Sequence, residues 1–155
     1  TYAMTGWRIG YGIWPQNLVD KAIRLNVNSV SCTNAPTQYA AIAALKGPQN
    51  KVDNMVQEFD TRRDLIVKNT NSIPGFSCLK PEGAFYVMPN ITKTGLNSKE
   101  IEQILLEELK VASVAGTSFG SYGEGYIRLS YANSQKNIVE ALERIHKYAV
   151  EKNWG

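Results

Sequence analysis

The chain has 155 residues, 43% hydrophobic and 20% charged, with a net charge of +3. This balance excludes a disordered chain and supplies the apolar residues for a real core, in one domain or a small domain plus an appendage. Lysine and arginine are dispersed and no apolar run approaches the ~18 residues of a membrane span, so neither a nucleic-acid nor a membrane surface is expected.

The first element predicted is a strand. Trp7, Ile9, Tyr11 and Ile13 alternate with Arg8, Gly10 and Gly12, a period of two that sets the arginine on the face opposite the bulky residues. After Pro15, residues Asn17 to Leu25 read as a short helix with Leu18, Val19, Ala22 and Ile23 apolar, and Asn26 to Pro36 reads as a loop. The alanine-rich Thr37 to Leu45 suits a buried helix ending near Gly47 and Pro48.

From Lys51 to Asn69, Val52, Met55, Val56, Phe59 and Ile66 recur at helical spacing with charges between them, which predicts a long amphipathic helix. Glu58 and Arg62 stand four apart, in the orientation that supports a helix by about 0.2–0.5 kcal/mol. Ile73-Pro74-Gly75 stops it. The remainder alternates two strands, a helix, two strands and a helix. The strands are Phe76 to Leu79, Ala84 to Met88, Val111 to Ala115 and Tyr126 to Tyr131. Asn97 and Glu100 have the spacing of a capping box, ahead of a helix with Ile101, Ile104, Leu105 and Leu109 inward. Asn133 or Ser134 caps the last helix, whose inner face is Ile138, Leu142, Ile145 and Ala149. From about residue 50 onward this pattern is an α+β layer, a sheet with helices packed on it.

Several side chains invite a chemical reading. The glycine-rich stretch Gly116, Gly120, Gly123 and Gly125 is followed by a strand and holds no lysine, unlike a phosphate cradle that opens a helix, so it reads as a tight connection at a site entrance. Arg128 lies between Ile127 and Leu129 and points to the opposite face; its fork suits either a structural carboxylate or a ligand carboxylate. His146, the only histidine, sits among Arg144 and Lys147 and reads as solvated, with no second ligand spaced for a metal. Lys46, Lys80 or Lys110 could act as a nucleophile only in a desolvated site that nothing here indicates. Tyr122, Tyr126 and Tyr131 read as packing residues. Cys32 and Cys78 belong to no metal-binding spacing and read as free thiols of a reducing compartment, with a disulfide left open. Without a signal-peptide pattern, the cytoplasm is the expected location.

Four segments, in order and at matching spacing, resemble the class I aminotransferases that depend on pyridoxal phosphate (PLP). They are Thr1-Tyr2-Ala3-Met4-Thr5-Gly6-Trp7-Arg8-Ile9-Gly10-Tyr11; Asn34-Ala35-Pro36 with Gln38-Tyr39-Ala40-Ala41; Pro81-Glu82-Gly83-Ala84-Phe85-Tyr86; and Gly116 to Gly120 with Gly123 to Ala132. The opening segment is most like bacterial aspartate aminotransferases. Ala115 departs from the family, where a proline is usual.

The resemblance implies an α/β chain forming the C-terminal portion of the aspartate aminotransferase-like fold, with a mostly antiparallel sheet. Residues 1–46 would close the large cofactor-binding domain, and 47–155 would form the small domain, beginning with a long interdomain helix. It implies amino transfer between an amino acid, aspartate favoured, and a 2-oxo acid, with Arg8 binding the PLP phosphate and Arg128 the substrate α-carboxylate. Tyr2 and Thr1 would lie near the cofactor. The lysine that carries the cofactor would stand one position before Thr1, so the chain is expected to be truncated, to hold no catalytic residue, to bind no PLP covalently and to be inactive alone. A homodimer is implied for the full-length enzyme. The rival expectation is a non-catalytic α+β module that binds a small acid or mediates assembly.

Overall fold

The computed structural model describes residues 1–155, which separate into two units, Thr1–Asn54 and Met55–Gly155.

The first unit is helical. Helix α1 (Val19–Val30) and helix α2 (Ala35–Lys46) follow a 3-10 turn at Thr5–Trp7. The strand expected around Arg8 is absent: the chain turns there, and Arg8 adopts a left-handed conformation with φ 53° and ψ 50°. A period-two pattern becomes a strand only when a neighbour pairs with its backbone, and residues 1–54 contain no strand to do so. Helix α1 also runs five residues past its expected end at Leu25. Asn28 and Ser29 donate to the carbonyls of Arg24 and Leu25, so polar side chains that often turn a chain instead fold back onto their own helix. Asn34 caps α2 by accepting from the Thr37 amide at 3.0 Å, and the Gly47 amide closes the other end on Ala43. The buried helix expected here is mostly exposed, with Thr37 its sole buried residue.

Helix α3 (Asn50–Thr70) begins in the first unit and continues into the second. The Arg62 Nε donates to Glu58 at 2.7 Å, as the four-residue spacing predicts. Ile66 and Thr70 turn inward, and Gly75, at φ 82°, completes the reversal after Ile73.

In the second unit three short strands form an antiparallel sheet in the order β1-β3-β2. They are β1 (Tyr86–Val87), β2 (Val114–Ala115) and β3 (Ile127–Ser130). Tyr86 stands opposite Ser130, and Val114 opposite Arg128. The expected strand at Phe76–Leu79 contributes only a single bridge, Ser77 to Asn90. Helix α4 (Ser98–Glu107) starts at a complete capping box: Asn97 accepts from the Lys99 and Glu100 amides while Glu100 accepts from the Asn97 amide. Helix α5 (Gln135–Glu151) is capped by Ser134.

The apolar faces of α3, α4 and α5 meet the sheet over Ile101, Leu105, Ile127, Leu129, Leu142 and Ile145. Trp154, beyond the last helix, closes this core by stacking on Phe76 with centroids 5.9 Å apart. No helix of the chain is long and apolar enough to cross a membrane.

Candidate functional site

Strand β3 alternates cleanly. Ile127 and Leu129 are buried in the core, so Arg128 leaves the sheet on the other face, half-buried. Its guanidinium carbon lies 4.3 Å from the ring centroid of Tyr86, on β1, and 4.6 Å from that of Phe119, in the glycine-rich loop. Both rings are within cation–π range. Arg128 takes part in none of the ion pairs or hydrogen bonds that hold the other core-flanking arginines: Arg62 pairs with Glu58, Arg63 with Asp60 and Asp64, Arg144 with Glu140. The structural carboxylate that would have explained Arg128 is therefore missing. What remains is a guanidinium beside two aromatic rings, whose fork can donate two parallel hydrogen bonds to a carboxylate or phosphate only at its edge.

Each ring has its own support. The turn before Tyr86 passes through Ala84 at φ 61°, and the buried Tyr131 hydroxyl donates to the Ala84 carbonyl at 2.9 Å. Burial pushes the Tyr131 phenol up, so it stays a donor. Phe85 packs on Phe59 and on Tyr86 with centroids 6.3 and 4.4 Å apart. Phe119 sits in a 3-10 turn, Gly116–Phe119, whose base is closed by the Gly116 amide donating to the Tyr126 carbonyl at 2.8 Å. Gly116 and Gly123 back onto each other so closely that a Cβ on either would collide with the other's carbonyl. Of the three tyrosines read as packing residues, Tyr131 is buried, Tyr126 is 37% exposed and Tyr122 is wholly exposed at the loop tip.

Arg8 lies in the first unit, exposed, with Nη1 donating to the Thr5 carbonyl at 3.2 Å. Its left-handed backbone is uncommon for a residue with a side chain and marks a position whose conformation is imposed by something other than preference. Gly6 and Gly10 flank it with nothing within 4 Å of where a Cβ would stand. Tyr2 is half-buried and Thr1 exposed.

The other candidates carry less. Lys46, Lys80 and Lys110 are all exposed; Lys80 is paired with Asp64 at 2.6 Å and Lys110 donates to the Glu107 carbonyl. None is buried, so none sits in the desolvated pocket that a nucleophilic lysine requires. His146 is exposed, and no group of three or more His, Cys, Asp or Glu residues is placed to hold a metal ion. Both cysteines are free, Cys32 exposed and Cys78 buried, and burial pushes the Cys78 thiol up to about 11, which suppresses its thiolate. Phe119 and Tyr86 lie within two of the motif segments, yet nothing in the sequence sets them apart from the apolar residues around them. The available signal was no more than an aromatic residue in each of two motifs that also carry an arginine or its neighbouring strand.

A family model described as aminotransferase class I and II matches residues 1–145. The chain is 41% identical over 154 residues to the aromatic-amino-acid aminotransferase 2 of Thermococcus litoralis, covering 98% of this chain and 39% of that protein. It is 42% identical over 154 residues to the aspartate aminotransferase of Pyrococcus abyssi, with the same coverage of 98% and 39%. The crystal structure of an aromatic aminotransferase from Pyrococcus horikoshii matches with a TM-score of 0.93 at 39% identity, over 99% of this chain and 41% of that one. The chain thus spans about 40% of the length of these proteins.

Proposed function

Because the chain belongs to the class I and II aminotransferases, we propose that it supplies the carboxylate-binding arginine, and one phosphate ligand, of a PLP-dependent amino-transfer site. The observation that carries this reading is Arg128, half-buried, unpaired and held between Tyr86 and Phe119. A half-buried guanidinium without a carboxylate has its desolvation offset only in part by the two rings, since its N–H donors are left without an acceptor. It is a good receptor for a carboxylate arriving from solvent, because its donors are unengaged within the chain and a guanidinium edge offers two parallel N–H···O bonds.

The phosphate role falls to Arg8. Only its Nη1 is engaged, by the Thr5 carbonyl, and its glycine neighbours leave open space beside it. Those features suit a phosphate, which takes several charge-assisted donors and needs close backbone approach. When bound, PLP supplies the electron sink for chemistry at the substrate Cα, and the protein's part is to bind and orient. Arg128 would fix the α-carboxylate and so the direction of the amino group, while Phe119 would exclude water from one face of that ion pair.

The lysines of this chain are placed on surfaces and turns, so we further propose that the 155-residue polypeptide alone has no transaminase activity. Aspartate is the favoured amino acid, on the likeness of the opening segment to bacterial aspartate aminotransferases; the relatives compared include one acting on aspartate and one on aromatic amino acids by name. The family reading also carries homodimerisation of the whole enzyme, and the apolar side chains exposed along the first unit, among them Tyr11, Ile13, Leu25 and Tyr39, are consistent with burial against further protein.

Two measurements test this. Calorimetric titration of the chain with succinate, a dicarboxylate resembling the substrate, is expected to show binding that Arg128→Ala abolishes; equal binding by both proteins would refute the role of Arg128. An amino-transfer assay with the purified chain, PLP, aspartate and a 2-oxo acid is expected to give no turnover, and a measurable rate would refute the proposed inactivity.

A further inference from the structure

Helix α4 reaches into the glycine-rich loop at two places. At the far end of the loop, the Glu124 carboxylate accepts from the Ser98 amide at 2.8 Å, the Ser98 hydroxyl at 3.1 Å and the Gly125 amide at 2.9 Å. The Ser98 oxygen in turn accepts from the Gly125 and Tyr126 amides at 2.9 and 3.2 Å. At the near end, the Glu102 carboxylate accepts from the Ala115 amide at 2.9 Å and pairs with Lys99 at 2.7 Å, and Lys99 donates to the Ser118 hydroxyl at 3.4 Å. Between these two grips lies the 3-10 turn ending in Phe119.

From this geometry we infer that Ser98, Glu124 and Glu102 are positioning residues that hold Phe119 against Arg128 and so set the plane of its fork. The inference deepens the carboxylate-binding reading of Arg128 and rests on it for its functional meaning.

Three physical points carry it. First, Ser98 is fully buried at the first turn of a helix already capped by Asn97, so its hydroxyl is not needed for capping and serves the loop instead. Second, short turn bonds shape the loop internally, the Gly120 amide donating to Thr117, the Gly123 amide to Gly120 and the Glu124 amide to Ser121, but Phe119 is 56% exposed, Tyr122 entirely so, and the Thr117 hydroxyl lacks a partner. Its placement against the sheet therefore depends on its ends, which are joined by the Gly116 amide bond to Tyr126 and by the close contact of Gly116 with Gly123. Third, Glu124 and Glu102 both lie on the acid side of the ordinary carboxylate range because they accept these bonds, so both grips are charged at neutral pH. A charge-assisted bond to a backbone amide is about twice as strong as a neutral one, which suits a device that orders a glycine-rich segment.

The consequence for binding is preorganisation. If the loop samples states in which Phe119 has left Arg128, the apparent affinity for a carboxylate falls in proportion to the competent fraction, so releasing one grip should weaken binding about three- to tenfold.

The test uses the full 155-residue chain labelled with 15N-arginine. In the folded protein the Arg128 Nε–Hε resonance should be displaced upfield by the Phe119 and Tyr86 rings, a signature that ordinary destabilisation does not alter in the molecules that remain folded. Ser98→Ala and Glu124→Ala are expected to move this resonance toward the position of an exposed arginine and to weaken succinate binding about three- to tenfold. Glu124→Gln, which keeps one oxygen acceptor, should fall between them and the unaltered chain. Should Ser98→Ala fail to fold, the exposed Glu124 carries the test alone. An Arg128 resonance unchanged in these variants would overturn the inference, whatever succinate does. If the resonance moves as expected but succinate binds none of the proteins, the positioning role stands and the carboxylate reading of Arg128 falls.

Discussion

Replacing Gly116 by alanine tests how the loop at the candidate site is held. Gly116 does not occupy a glycine-only region of backbone space, and its requirement is one of room. An added Cβ would collide with the Gly123 carbonyl and lie 2.8 Å from the Tyr126 oxygen, both of them backbone atoms that no rotamer change can move. Overpacking of this kind costs about 1–3 kcal/mol. The displacement would also strain the bond from the Gly116 amide to Tyr126, now 2.8 Å, whose net contribution is about 0.5–1.5 kcal/mol. Together these give about 1.5–4.5 kcal/mol, and since one kcal/mol moves the midpoint of a domain the size of the second unit, Met55–Gly155, by about 4–8 °C, thermal unfolding should shift by at least about 6 °C. Thermal denaturation followed by circular dichroism measures the shift. Gly120→Ala is the control of opposite character: nothing lies within 4 Å of its Cβ position, but its φ of 129° excludes side chains, so any loss there is conformational. A Gly116→Ala protein melting within a degree or two of the unaltered chain would refute the close-packed loop base.

Other outcomes follow from the same contacts. Arg128→Lys removes a planar group from between two rings and replaces a fork with a point charge; losing one charge-assisted bond, worth about 1.5–3 kcal/mol, should weaken succinate binding roughly 10- to 150-fold in a calorimetric titration. Tyr131→Phe deletes the donor to the Ala84 carbonyl and should cost about 0.5–1.5 kcal/mol in chemical denaturation, with unchanged dependence on denaturant. Glu58, Asp64, Glu102 and Glu124 are all held below their ordinary values by hydrogen bonds, those of Arg62, Lys80, Lys99 and Ser98 being the largest causes respectively. Their contribution to stability is complete above the ordinary carboxylate values of 4.5 and 3.8 and is lost as pH falls through the lower folded values. Melting temperature measured against pH should therefore begin to fall only below that range, and Glu124→Gln should reduce the acid dependence.

The elements of the second unit were legible because local and tertiary preferences agree there. Ile138, Leu142, Ile145 and Ala149 recur at helical spacing and are all buried, and the Asn97 and Glu100 pattern forms both bonds of its capping box. The first unit was less legible. The alternation around Arg8 is a strand pattern without a partner strand, and the apolar residues of α2 have nothing among residues 1–54 to bury them. Trp154 escaped notice because a single residue beyond the last helix has no periodicity, though it stacks on Phe76 and meets Tyr148 edge-on.

At the candidate site, Arg128 was visible from its place in a strand between two apolar residues. Its setting was not. The ring of Phe119 reaches it from a loop and that of Tyr86 from another strand, and Ser98 grips a carboxylate 26 residues away in sequence. Motif spacing carries no information on such closures, which depend on how β1, β3 and α4 come together.

On the reading proposed here, Arg128 is the receptor for a carboxylate. Succinate titration of the 15N-arginine-labelled chain tests it most directly, with every arginine observed at once. One saturable displacement is expected, at the Arg128 Nε, that disappears from the spectrum of Arg128→Lys. A resonance that stays in place at saturating succinate, or arginines that all drift together without saturation, would contradict it.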